Sequence, residues 1–305
     1  MDYEFLLPGR APFLVQGWGN FQIELIGALA GIKPATQVWV QEGDLDYVRK
    51  LCATLGLNFI VYTRQESAQG PARLGVMVGA EKEALLRAAR MWEGAKANPG
   101  MALGYPECCA LFYWEHNYEE ADPAKNRDVL FHIFANTPKA GKSLPFLLNN
   151  AFYLFSRPQK EGDQARREEV YRKNMGLNLN VMNLLPWHPC SYRCRPSLAR
   201  AAAVWSLMHR LVPALPPLLK SCLARPVLFW DWDRFAVLKG AAKAGGIAYT
   251  GIQPPFSRLD PETSALLRAG DNVRRLGSGD LEVRKGTKRL ALFPADKTLL
   301  LDFVA

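Results

Sequence analysis

The chain has 305 residues, of which 49% are hydrophobic and 22% charged, and its formal net charge is +9. This composition is typical of globular proteins, excludes intrinsic disorder and leaves room for two or three compact units. No apolar run approaches the roughly 20 residues that a membrane-spanning helix needs, so we expect no membrane association. The excess of 38 basic over 29 acidic residues is compatible with an anionic partner but does not require one.

The N-terminus, Met1-Asp2-Tyr3-Glu4, is acidic and lacks the basic region and apolar core of a secretory signal. We therefore expect a cytoplasmic, reducing compartment. In that compartment, clustered cysteines more often bind metals or take part in catalysis than form disulfides. This preference guides the interpretation of the six cysteines of the chain.

Residues 1–98 are predicted to form an N-terminal α/β unit. Amphipathic periodicity predicts helices at residues 44–55 and 81–93, and Gly56 suits a C-terminal glycine cap of the first of them. A short apolar helix is predicted at residues 21–29. Strands are predicted where β-branched and aromatic residues cluster, at residues 38–40, 59–62 and 74–78.

Residues 99–225 are predicted to form a mostly helical region that contains four of the six cysteines. Two motifs hold them: Gly104-Tyr105-Pro106-Glu107-Cys108-Cys109 and His188-Pro189-Cys190-Ser191-Tyr192-Arg193-Cys194. The first motif begins a helix because Pro106 suits an opening helical position. The second precedes residues 198–211, where apolar side chains recur at helical spacing. Helices are also predicted around residues 144–155 and, with an exposed charged surface, at 160–173.

Residues 226–305 are predicted to form a C-terminal β-rich domain, an antiparallel sheet or small barrel. Lys285-Gly286-Thr287-Lys288 has the composition of a hairpin turn between two of its strands. The strand-like runs are residues 227–230, 234–238, 248–250, 281–284, 289–293 and 298–303. The whole chain is therefore expected to have an α+β fold.

Thiols at helix starts are candidates for metal binding. There they face unpaired backbone N–H groups and the positive end of the helix dipole, and both favour the thiolate. Cys108 and Cys109 have this position in the first motif, and Cys190 and Cys194 precede the helix of the second. Since 81 residues separate Cys109 from Cys190, tertiary folding must bring the two motifs together.

The spacing of these four cysteines leaves the metal open. A C-x3-C pair such as Cys190 and Cys194 is permissible for zinc, whose usual pairs lie on tight turns. Neighbouring helical side chains such as those of Cys108 and Cys109 diverge by about 100°. This divergence suits a cluster with several metal atoms better than a single ion. An iron–sulfur cluster, of the 4Fe-4S type, is therefore favoured. The alternatives are a zinc ion and cysteines with a thiol redox or structural role. Cys52 and Cys222 are interpreted as structural thiols.

Two further residues are candidates for catalysis. Glu107 is a candidate acid/base or a group that orients a ligand, although it equally complements the helix dipole. His188 lies two residues before Cys190 and is a candidate imidazole group, although it suits the capping of its loop as well. Asp231-Trp232-Asp233 is interpreted as a turn with exposed acids.

The two cysteine motifs resemble those of a prokaryotic family, domain of unknown function 483. Its pattern combines GYPxCC, followed by an aromatic-rich helix, with an H-x-PCS-x-x-C-x-x-S block. The likeness covers mainly residues 74–210 and includes Gly75, Gly79 and Ser197. His188 is adjacent to Pro189, so the block is one residue shorter here. The resemblance implies a shared cysteine site and no particular reaction.

These observations favour an iron–sulfur-dependent enzyme, an oxidoreductase, lyase or sulfur-transfer enzyme. Its cluster would transfer electrons, with an electron-donor protein as partner, or act as a Lewis acid on a small substrate, including an anionic one. The alternatives are a thiol oxidoreductase, or a structural zinc protein that binds nucleic acid through a basic surface. That surface, which is not favoured, would comprise Arg274, Arg275, Arg284, Lys285, Lys288 and Arg289.

Overall fold

A computed structural model describes residues 3–7, 13–15, 21–66, 72–93, 98–117, 128–138, 143–153, 183–244, 246–253 and 256–305. The predicted exposed helix at 160–173 lies outside these residues. The predicted α+β fold is confirmed, because helices and antiparallel sheets both recur along the chain. Among the described residues, no helix combines the length and apolar character needed to cross a membrane.

The chain divides into two compact units, each built from several segments. The first contains Met1–Glu119, Leu184–Cys190 and Arg195–Leu215, and the second contains Glu120–Asn183, Ser191–Cys194 and Pro216–Ala305. The division into domains 1–98, 99–225 and 226–305 stays a prediction.

Two antiparallel sheets belong to the first unit. Strands β1 (Tyr3–Phe5) and β2 (Phe13–Val15) pair with each other. The larger sheet has the order β3-β5-β4, with β3 at Thr36–Gln41, β4 at Asn58–Gln65 and β5 at Arg73–Gly79. Its central strand, β5, has a neighbour on each side and is buried from Leu74 onwards. The three strands contain the β-branched runs in which the sequence predicted strands.

Helices α1 (Phe21–Leu29), α2 (Leu45–Leu55) and α3 (Lys82–Glu93) match the predicted helices of this unit to within a residue. Gly56 ends α2 in the left-handed conformation, with φ of 71°, and its N–H donates to the Ala53 and Cys52 carbonyls. The predicted glycine cap is therefore confirmed. Beyond α3 come α4 (Pro99–Ala102), α5 (Glu107–Asn117) and α7 (Arg195–Leu211), which hold the cysteine motifs.

The second unit contains an eight-stranded sheet with the order β12-β11-β10-β9-β8-β7-β13-β6. All its pairings are antiparallel except that of β13 with β6, so the predicted C-terminal antiparallel sheet is confirmed and extended by one strand from the central region. Its strands are β6 (Leu144–Pro145), β7 (Pro226–Asp231), β8 (Arg234–Lys243), β9 (Gly246–Ile252), β10 (Asn272–Arg275), β11 (Leu281–Lys285), β12 (Lys288–Phe293) and β13 (Leu299–Val304).

Among its described residues, this unit has three helices: α6 (Val129–Ala135), α8 (Leu215–Leu223) and α9 (Pro261–Ala269). The sheet core is apolar and fully buried around Leu228, Leu238 and Val283. Gly286 takes a positive φ of 55° between β11 and β12, as the predicted hairpin turn requires.

The helix predicted around residues 144–155 is wrong for the described residues. Leu144–Pro145 is a strand and Phe146–Leu148 a single 3-10 turn. Pro145 has no N–H to offer a helix. The Asn149 side chain replaces helical bonding, because its oxygen accepts from the Ala151 N–H and its amide donates to the Leu223 carbonyl.

Candidate metal centre

The first cysteine motif enters α5 through a tight turn at Gly104. Gly104 has a φ of 78°, and a Cβ atom there would collide with the ring of Pro34. Its carbonyl accepts a hydrogen bond from the guanidinium of Arg200. The Pro106 carbonyl then accepts from the N–H groups of Cys109 and Ala110, at 2.8 and 2.9 Å. Cys108 and Cys109 consequently lie in the first turn of the helix, as predicted.

The second motif is a turn that ends at the start of α7. The N–H of Cys194 donates to the Ser191 carbonyl at 3.1 Å, and Arg195 is the first helical residue. Tyr192, fully buried, holds this turn: its N–H donates to the Thr137 hydroxyl and its own hydroxyl contacts the Asn150 side chain. A polar network of buried side chains therefore fixes the backbone between the two cysteines.

The sulfur atoms of the four motif cysteines converge. All four Sγ atoms, from Cys108, Cys109, Cys190 and Cys194, lie within 4.8 Å of one another. The predicted meeting of the motifs is thus confirmed, and the group can hold a metal. All six cysteines of the chain lie in the described residues, and none forms a disulfide. Cys108 and Cys109 are close neighbours, with Sγ atoms 3.9 Å apart.

The sulfur of Cys109 has hydrogen-bond partners on two sides. The backbone N–H of Cys190 donates to its sulfur at 3.3 Å, and the Ser197 hydroxyl lies 3.2 Å from it. The indole N–H of Trp187 donates to the same Ser197 oxygen at 3.1 Å. If Cys109 is a thiolate, its sulfur has no proton and the Ser197 hydroxyl is the donor of this contact. The arrangement is suited to a thiolate at Cys109.

The two catalytic candidates occupy different environments. His188 is buried, with 2% of its surface exposed, and its ring stacks on Tyr113 with centroids 5.6 Å apart. It does not belong to the converging group of ligand atoms. Glu107 is the first residue of α5 and is exposed. Roles for Glu107 and His188 in catalysis stay predictions.

A buried ion pair lies beside the Gly104 turn. Lys33, with 2% exposure, donates to the Glu24 carboxylate, which also accepts from the Thr36 hydroxyl. The ammonium of Lys33 lies 5.1 Å from the centroid of the Tyr105 ring. Burial lowers the pKa of Lys33, and the Glu24 carboxylate offsets part of that effect. The pair supports the loop that leads to Cys108.

The remaining cysteines are structural, as predicted. Cys52 lies on α2 with 1% exposure and Cys222 lies on α8 with none. Burial raises the pKa of each thiol to about 12. Both thiols are therefore protonated at neutral pH and unsuited to metal binding or nucleophilic attack.

Sequence reasoning missed the roles of Trp187 and Arg200 and quoted Ser197 only as part of a motif. The available signal was the fixed spacing of Ser197, three residues after Cys194, which places its side chain in the first turn of α7. Nothing in the sequence indicated the acceptor of the Trp187 N–H or the hydrogen bond from Arg200 to Gly104. The first bond joins residues 10 positions apart and the second joins residues 96 positions apart.

Three of the six basic residues of the predicted nucleic-acid surface form ion pairs with acids. Arg274 and Arg284 both pair with Glu282, at 2.6 and 3.8 Å, and Lys285 lies 3.7 Å from Asp271. The acids of Asp231-Trp232-Asp233 lie at the turn between β7 and β8, and both are partly exposed.

The chain has no significant match among protein-family models, curated proteins or solved structures. The functional interpretation therefore depends on the geometry of the four-cysteine site.

Proposed function

We propose that the chain is a metal-binding protein in which Cys108, Cys109, Cys190 and Cys194 bind one metal ion. The favoured ion is zinc. The spacing of the sulfurs carries this proposal. Zinc–sulfur bonds of about 2.3 Å in tetrahedral geometry place neighbouring sulfurs about 3.8 Å apart. The distance of 3.9 Å between the Cys108 and Cys109 sulfurs, and the 4.8 Å limit for all pairs, lie close to that value.

An iron–sulfur-dependent enzyme is the second candidate. The adjacency of Cys108 and Cys109 on one helix favours it, as does the N–H group that Cys190 directs at the Cys109 sulfur, since such bonds tune cluster potentials. A cubane, however, binds each thiolate on a different iron. Its thiolates must lie further apart than those around one ion, so the compact group supports the single ion better.

The proposed ion has a structural consequence. It joins the first turn of α5 to a segment that begins 81 residues later in the sequence. The hydrogen bonds from Ser197 and from the Cys190 N–H then offset the negative charge of the four thiolates. Membership of the family called domain of unknown function 483 would extend the same site to its members, and it stays a proposal.

Nucleic-acid binding is not proposed. The ion pairs of Arg274, Arg284 and Lys285 with Glu282 and Asp271 reduce the charge of the basic surface on which it would depend.

Metal, sulfide and absorbance analysis of protein purified without oxygen tests the proposal. We expect one zinc per chain, no acid-labile sulfide and no visible colour. Iron with sulfide and a brown absorbance would instead support the cluster enzyme. Changing any of the four cysteines to serine should reduce the bound metal, whereas Cys52→Ala is the matched control that keeps it. Metal that persists in all four serine variants would contradict both candidates.

A further inference from the structure

Arg200 is a half-buried cation on α7 that forms no ion pair with the acids of the described residues. Its guanidinium donates a hydrogen bond to the Gly104 carbonyl, and it lies over the Trp187 ring, 5.9 Å from the ring centroid. A cation that leaves bulk water needs compensating partners, because burial disfavours its charge. A carbonyl oxygen and an aromatic face provide that compensation here. These two partners therefore determine where the guanidinium lies.

The two partners of Arg200 belong to the two chain segments that supply the cysteines. Gly104 is the first residue of the first motif and lies four residues before Cys108. Trp187 directly precedes the second motif and lies three residues before Cys190. Since Gly104 and Trp187 are 83 residues apart, no local structure joins them. Arg200, on a third segment of the chain, contacts both.

Trp187 extends this contact to the sulfur of Cys109. The indole is buried, its ring centroid lies 5.1 Å from that of Tyr105, and its N–H donates to the Ser197 oxygen at 3.1 Å. The same oxygen lies 3.2 Å from the Cys109 sulfur. Arg200 lies three residues beyond Ser197, on the same face of α7. The position of the indole, which Arg200 holds, therefore affects the contact between Ser197 and the sulfur.

The contact depends on the chemistry of arginine. A guanidinium is planar and has several N–H groups, so it can donate to a carbonyl while it lies on an aromatic ring. A lysine ammonium is a point charge on a flexible stem and lacks this planar geometry. The acceptor is fixed as well, because Gly104 has a φ of 78° and lies against the ring of Pro34. A rigid acceptor and a buried indole thus suit one planar cation.

We propose that Arg200 is a positioning residue of the metal centre, which holds the Gly104 turn and the Trp187 segment together before the ion binds. This inference rests on the proposed zinc site and identifies a residue that prepares it. Arg200 is a cation and therefore not a ligand; it acts through the Gly104 backbone and the Trp187 indole. Without it, the ordering of the two segments would oppose zinc binding, because a preorganised site loses less conformational freedom.

The zinc affinity of Arg200→Met, measured by competition with a coloured chelator, tests this role. We expect the dissociation constant to rise by about tenfold, the lower end of the effect of residues that support metal ligands. Arg200→Lys, which keeps the charge but not the planar geometry, should show a similar rise. Arg210→Met is the matched control, because Arg210 is exposed on the same helix, and it should keep full affinity. Full affinity in Arg200→Met or in Arg200→Lys overturns the inference.

Hydrogen exchange of the zinc-free chain, followed by mass spectrometry, is a readout that needs no metal. The Tyr105 N–H donates to the Gly100 carbonyl at 2.8 Å and reports on the turn. We expect Arg200→Met to accelerate exchange in the peptide of residues 100–110 by about tenfold, because the turn opens more often. Strand β7, in the second unit, is the internal reference and should be unchanged.

The two measurements separate this inference from the zinc proposal. Unchanged exchange at the turn, or equal acceleration in β7, overturns the positioning role of Arg200 and leaves the zinc proposal standing. A chain that binds no zinc overturns the zinc proposal. The exchange measurement then still decides whether Arg200 holds the Gly104 turn.

Discussion

Ser197 contacts the four-cysteine group through its side-chain hydroxyl. It is fully buried, its oxygen accepts the Trp187 N–H, and its hydroxyl lies 3.2 Å from the Cys109 sulfur. The Ser197 hydroxyl thus connects the indole of Trp187 to Cys109, one of the four proposed metal ligands. Its removal would leave the Trp187 donor buried without an acceptor, which costs about 1–3 kcal/mol.

Ser197→Ala is therefore expected to weaken zinc binding by about 10- to 100-fold, the usual effect of losing a partner of a metal ligand. Competition with a coloured zinc chelator measures the change. Ser206→Ala is the matched control, because Ser206 lies on the same helix with its side chain exposed. Equal zinc affinities for the two variants would show that the Ser197 proton has no part in the site.

The turn at Gly104 shows which properties of a single residue can be predicted from the sequence and which cannot. The position of Pro106 predicted the helix start, because proline suits the first positions of a helix. The reason for glycine became visible only in the structure, where a positive φ and the ring of Pro34 exclude a side chain. Pro34 is distant in sequence, and no local pattern predicts such a contact.

Elements were predictable where a local rule determines them. The glycine cap of α2 and the apolar spacing of α2 and α3 lie within each segment, and so does the turn at Gly286 between β11 and β12. The region around Leu144–Pro145 was not predictable in this way. Its strand pairs with the distant strand β13, and its Asn149 side chain bonds to the Leu223 carbonyl. Tertiary partners replaced the local preference for a helix.

The start of α9 allows a test of the capping rule. Asp260 is the N-cap, and its carboxylate accepts from the Thr263 N–H at 2.7 Å and from the Thr263 hydroxyl at 2.8 Å. These two bonds, more than the neighbouring Arg234, lower the pKa of Asp260 below its ordinary value of 3.8. The carboxylate therefore contributes stability above pH 3.8, and this contribution is lost as the pH falls through the lowered pKa.

Asp260→Ala is expected to reduce the free energy of unfolding by about 1 kcal/mol at pH 7. The difference should persist to pH 5 and shrink below pH 4, as denaturant unfolding at each pH would measure. Asp44→Ala is the matched control, because Asp44 precedes α2 without a side-chain cap bond. A loss for Asp260→Ala that stayed constant down to pH 3, or an equal loss for Asp44→Ala, would contradict the capping explanation.

At the scale of the whole molecule, the sequence indicated which cysteines act together but not how closely they meet. Paired motifs at two helix starts were a local signal, and their convergence within 4.8 Å is a result of tertiary folding. The preference for a cluster came from the divergence of adjacent helical side chains. The first turn of α5 nevertheless brings the Cys108 and Cys109 sulfurs to 3.9 Å, a distance that no spacing rule supplies.

An ion that joins segments 81 residues apart should couple metal binding to folding, because the unfolded chain does not assemble the site. We expect the melting temperature to rise with free zinc, by an amount equivalent to about 2.7 kcal/mol at 100 times the dissociation constant. A strong chelator should lower the melting temperature.

Cys194→Ala should abolish the dependence of the melting temperature on zinc, whereas Cys52→Ala should preserve this dependence at a lower melting temperature. Calorimetry at several zinc concentrations makes the comparison. If the melting temperature of the unchanged chain were independent of zinc and chelator, the four thiols would converge without an ion that stabilises the fold.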